Sequence, residues 1–120
     1  MNYRRLLPSL EYRRLVKGVK RNYHVLEAPQ HYIIFSPNKH EDAGNYTIVP
    51  KKALNFIVKK LGGTKSITTA EVLAACKGSM YFGNHFSALN AMYALIGAKG
   101  ARVSKISGNK LFFNIWKNGK

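Results

Sequence analysis

Ser66-Ile67-Thr68-Thr69-Ala70-Glu71-Val72-Leu73 and Gly83-Asn84-His85-Phe86-Ser87-Ala88-Leu89-Asn90 each open a helix. Two β-prone runs follow, Arg102 to Ile106 and Leu111 to Trp116, around the turn Ser107-Gly108-Asn109-Lys110. Thr68 and Glu71 have capping-box spacing: the threonine side chain accepts from the Glu71 amide, and the glutamate reaches back to the Thr68 amide. The second helix is expected from His85 to Ile96, with Gly97 as its stop. At about 100° per residue, Phe86, Leu89, Tyr93 and Ile96 share one side with Met92 beside them, a core stripe. The other side presents Asn84, Ser87, Ala91 and Ala94, flanked by Ala88 and Asn90, and carries neither lysine nor arginine.

Upstream, Pro50 suits the first turn of an amphipathic helix. Leu54, Ile57, Val58 and Leu61 line one face of it, and Gly62-Gly63 ends it. Ser66-Ile67-Thr68 can pair with the later hairpin as its third strand. In the connection Lys77–Gly83, at least two of Met80, Tyr81 and Phe82 are expected in the core. In the hairpin, Leu111, Phe113 and Ile115 share a buried face and Phe112, Asn114 and Trp116 the other. Phe112 and Trp116 read as a base-stacking platform or as apolar surface covered by the N-terminal helix, the second being favoured.

The order helix, short strand, helix, helix, two-stranded wing over Pro50 to Trp116 resembles the winged helix-turn-helix superfamily. The resemblance implies that the helix from about 85 to 96 enters the major groove while the wing contacts the backbone. On that reading Asn84, Ser87, Asn90 and Ala91 face the bases. Asparagine can make a bidentate contact with adenine, and alanine can touch a thymine methyl. Affinity would come from Lys51, Lys52, Lys77, Lys99, Arg102, Lys105 and Lys110 on phosphates.

Residues 1 to about 21 are expected to form a basic helix with Pro8 in its first turn and Leu10, Leu15, Val16 and Val19 as a narrow stripe. Arg4, Arg5, Arg13, Arg14, Lys17, Lys20 and Arg21 make it a candidate phosphate-contacting arm. Tyr23–Glu27, His31–Phe35 and Asn45–Val49 read as short strands, and residues 36–44 as a loop. The expected fold class is therefore α+β: a winged helix-turn-helix over residues 50–120, preceded over residues 1–49 by a basic helix and a small antiparallel β element.

The chain has 120 residues, 20 lysines and arginines against 5 acids, and a formal net charge of +15. Such a surplus favours a polyanionic partner, and no acid follows Glu71. The single cysteine, Cys76, excludes an internal disulfide and reads as a small buried residue. There is no membrane-spanning apolar run and no signal-peptide pattern, so an intracellular protein is expected. His24, His31, His40 and His85 lack metal-ligand spacing, the acids are scattered, and no phosphate-binding glycine loop occurs. No enzyme, metal or cofactor is expected. The leading expectation is a DNA-binding protein, either a transcription regulator or chromosome-associated. The alternatives are a structural RNA-binding protein of ribosomal or ribonucleoprotein type and a protein-interaction domain. A homodimer through the N-terminal helix is compatible with the sequence, but nothing fixes it.

Overall fold

A computed structural model of the chain describes residues 10–18, 21–37 and 44–118. Strands β1 (Glu11–Lys17), β2 (Asn22–Glu27), β3 (His31–Pro37) and β4 (Gly44–Pro50) come first. They form an antiparallel meander in the order β1-β2-β3-β4. Helix α1 (Lys51–Leu61), strand β5 (Ile67–Thr68), helices α2 (Thr69–Ala75) and α3 (His85–Gly97), and strands β6 (Ala101–Ser107) and β7 (Lys110–Ile115) follow. The second sheet has the order β5-β7-β6.

This architecture overturns the expected winged helix-turn-helix class. Strand accounts for 42% of the structure, and among the described residues a four-stranded sheet precedes the helices, where the expected class puts helices first and the wing after them. The basic N-terminal helix is also overturned over its described part, since Glu11–Lys17 is an edge strand with Val16 its one buried residue. Its pairing with β2 carries a bulge between Tyr12 and Arg14, and that bulge breaks the strict alternation by which a strand is recognised.

Helix α3 explains how the two halves join. It lies against all four strands of the first sheet and also touches α1, α2 and β6. From Asn90 to Gly97 every residue is buried. A helix apolar on all sides belongs in the interior. One continuous core therefore takes Val25, Ile34 and Val49 from the meander, Leu54 and Ile57 from α1, Val72 from α2, and Phe113 and Ile115 from β7. The described parts of segments 1–49 and 50–120 both contribute to it.

Two contacts set how close α3 comes to the sheet. The rings of Tyr23 and Tyr93 stack with centroids 4.1 Å apart. A Cβ on Gly97 would lie 2.3 Å from Val25 Cγ1, so only glycine permits the helix to approach at this point. Burial pushes the Tyr93 phenol well above its ordinary range, and it stays neutral. Several local expectations hold elsewhere in the core. The capping box of Thr68 and Glu71 opens α2, Phe82 and Cys76 are buried, and Tyr81 packs against the core while Met80 is exposed. No helix among the described residues is long and apolar enough to cross a membrane.

An ion-pair cluster ties the sheet to α1. Glu27 accepts from Arg13 Nε at 2.6 Å and from Lys51 Nζ at 2.5 Å. The Lys51 hydrogen bond, helped by Arg13 and opposed by burial, holds the Glu27 carboxyl below its ordinary value of 4.5. A depressed folded value gives stability that is complete above the unfolded value and is lost as pH falls through the folded one. Thermal stability should therefore hold down to about pH 4.5 and then decline. That decline should be shallower in Glu27→Gln, measured by Tm against pH; equal acid limbs in the two proteins would overturn the assignment.

Candidate nucleic-acid interface

The four residues expected to read bases do not form a surface. Asn84 caps α3: its Oδ1 accepts from the Ser87 amide at 2.8 Å. Ser87 Oγ in turn donates to the Asn84 carbonyl at 2.8 Å and accepts from the Asn84 amide at 3.3 Å. Both side chains are thus engaged in holding the first turn. Asn90 is 2% exposed and donates from Nδ2 to the Phe86 carbonyl at 3.0 Å. Ala91 is 1% exposed. The physical reason is the one that placed α3 in the centre: the helix has no charged residue to keep any side of it in water. Phe86, expected in the core stripe, is instead exposed near the helix start.

The expected phosphate contacts divide into three groups. Lys51 is engaged by Glu27, and its ammonium also lies 5.4 Å from the Tyr32 ring centroid. Lys52 and Lys77 are exposed, on α1 and on the connection after α2. Lys99, Arg102, Lys105 and Lys110 are exposed along the β6–β7 hairpin and its approach. Of the expected N-terminal arm, Arg4, Arg5 and Lys20 lie outside the described residues. Arg13 is held by Glu27 and by Glu11, the latter at 3.0 Å. Arg14, Lys17 and Arg21 are exposed on or beside β1.

The hairpin gathers its cations for local reasons. Its loop is Gly108-Asn109, with Gly108 at φ +60°, the first-position glycine of a type II′ turn. Alternation sends Leu111, Phe113 and Ile115 into the core and leaves Phe112 and Trp116 half-buried on the other face. The β6–β7 register shifts between Val103 and Lys105, with Arg102 opposite Asn114 and Lys105 opposite Phe112. That bulge puts Arg102 and Lys105 on one face although they are three residues apart. The Arg102 guanidinium lies 5.8 Å from the Trp116 ring centroid, and Lys105 Nζ lies 4.6 Å from that of Phe112. Among the described residues, cations lie over these rings. Between them Asn114 is buried, accepting from the Ser66 amide at 2.9 Å. The result is an open sheet face of alternating cation and ring.

A second aromatic surface is not readable from the sequence alone. On the outer face of the meander, Tyr12, His24, Phe35 and Tyr46 form a row across all four strands. Successive centroids are 5.8, 6.0 and 4.7 Å apart. Each ring belongs to a different strand, and the row appears only once the pairing register is known: His24 opposite Phe35, and Phe35 opposite Tyr46. Tyr12 Oη is 3.1 Å from His24 Nδ1. Among the described residues, no three His, Cys, Asp or Glu side chains converge to hold a metal.

No family model, curated protein or solved structure matches this chain.

Proposed function

We propose that this protein is a non-catalytic binder of unpaired nucleic acid, RNA foremost, acting as a structural component of a nucleic-acid assembly. The observation that carries the reading is the outer face of the β6–β7 hairpin. There Arg102 and Lys105 lie over Trp116 and Phe112, with Lys99 and Lys110 exposed at either end. Ring faces stack on unpaired bases, and the arginine and lysines meet phosphates between them. The formal charge of +15 supports a polyanion as the partner. Duplex DNA as the primary target is less well supported, because α3 offers no exposed reading face. An intracellular compartment goes with this reading, as does a single buried thiol.

The test is a salt titration of binding, by anisotropy, to single-stranded RNA, single-stranded DNA and duplex DNA of equal length. With about four phosphates met by the hairpin cations, log affinity for a single strand should fall against log salt with a slope of about −3. RNA and single-stranded DNA should both exceed the duplex, and the two single strands separate the RNA reading from general stacking. Preference for the duplex, or binding insensitive to salt, overturns the proposal.

A further inference from the structure

The two edges of the meander are built differently. β1 carries Glu11, Arg13, Arg14 and Lys17 and a bulge, devices that discourage another strand from pairing. β4 reads Gly-Asn-Tyr-Thr-Ile-Val-Pro, without a charge, in unbroken register with β3 over its whole length. Among the described residues it pairs with β3 alone. Pro50 has no N–H, so its pairing with His31 rests on the flanking bonds, one of them from the Lys51 amide to the Gln30 carbonyl at 3.0 Å. Alternation along an antiparallel ladder then turns the N–H and C=O of Tyr46 and Ile48 away from β3, toward the open edge. The same two residues carry exposed side chains, 62% for Tyr46 and 64% for Ile48.

We propose that β4 pairs with β4 of a second copy, antiparallel, about a two-fold axis through Thr47. In that register Tyr46 stands opposite Ile48 of the second copy, and Ile48 opposite its Tyr46. Each opposed pair exchanges both backbone hydrogen bonds. Ring against β-branched side chain is a favourable cross-strand pair, and the two-fold axis supplies it twice. Thr47 meets Thr47, Gly44 meets Pro50, and no position of the strand meets a like charge. For a chain of net charge +15, an uncharged strand is where a second copy meets least repulsion. The partner is a second copy because the strand complements itself in sequence, in exposed side chains and in backbone groups that pair with no other described strand. The two meanders would join into one continuous sheet, with each ring row ending at Tyr46 against Ile48 of the second copy.

The test is sedimentation velocity on the full chain free of nucleic acid, from about 0.1 M to about 0.5 M salt. Screening weakens repulsion between like-charged copies, so the dimer fraction should rise with salt, opposite in sign to nucleic-acid binding. The outcomes of the two proposals are therefore distinguishable. Ile48→Lys should raise the dimer dissociation constant about tenfold or more, because both symmetric pairs are lost at once. Its circular dichroism should be unchanged. On mild oxidation Thr47→Cys should form a self-linked dimer, whereas Ile48→Cys, which faces Tyr46 and not itself, should not. A protein that is monomeric throughout, or a dimer indifferent to Ile48→Lys, overturns the proposal. So does a monomer in which Tyr46→Ala weakens RNA binding, which would assign the strand to the nucleic acid.

Discussion

Gly97→Ala should cost about 1–2 kcal/mol of stability and Gly97→Val about 3 kcal/mol or more. A helix interior ordinarily prefers alanine to glycine by up to about 1 kcal/mol, so the sign depends on the sheet. The added carbon would lie 2.3 Å from Val25 Cγ1 and 2.7 Å from Val25 Cβ. Val25 is β-branched, fully buried and fixed in a strand with a neighbour on each side, so it cannot turn away. Overpacking therefore outweighs propensity. Urea denaturation measures the loss, and a double-mutant cycle isolates the cause. Gly97→Ala combined with Val25→Ala should be more stable than the two separate losses added together. Gly83→Ala, with nothing within 4 Å of its added carbon, serves as the comparison. A Gly97→Ala protein as stable as the parent would remove the close contact from the account.

The second large effect is on binding. Arg102→Ala/Lys105→Ala/Lys110→Ala should weaken binding to single-stranded RNA about a hundredfold near 0.1 M salt. The salt slope should be shallower by about 2, as expected when three phosphate contacts are lost. All three side chains are exposed, so the unfolding midpoint should hardly move. Lys51→Gln should behave in the opposite way, lowering stability through Glu27 and leaving RNA affinity nearly unchanged. If the triple variant bound as the parent does, the hairpin face would not be the interface.

Local elements were legible where the chain states them by chemistry. Pro50, the Thr68 and Glu71 capping box and Gly108 mark boundaries that the structure reproduces. Strands β2, β3 and β4 lie where β-branched and aromatic runs place them. What was not legible was which surfaces cover one another. Glu11–Lys17 pairs through its backbone and leaves its charged side chains in water, so its side-chain pattern resembles a basic helix. From sequence, helix α3 reads as two-faced because its polar side is small and neutral. The informative fact was that His85–Gly97 contains no lysine, arginine, aspartate or glutamate. From Asn90 onward such a helix has no solvent face, and Ala88, Ala91, Ala94 and Gly97 leave room for neighbours around it. The positions of the hairpin cations can be read from sequence, but the bulge that aligns Arg102 with Lys105 cannot, because it depends on the register against β7.

The central position of α3 also bears on how the chain is made. Synthesis runs from the N-terminus, so the whole meander leaves the ribosome before the helix that covers its inner face. At about 5–20 residues per second, the gap between Pro50 and Gly97 is several seconds. Throughout that interval Tyr32, Ile34 and Val49 have no α3 to pack against, and β4 presents an uncharged open edge beside them. Chains on neighbouring ribosomes of one messenger would be at their most adhesive then. The nascent sheet is consequently the stage at which a holding chaperone would matter most to this protein.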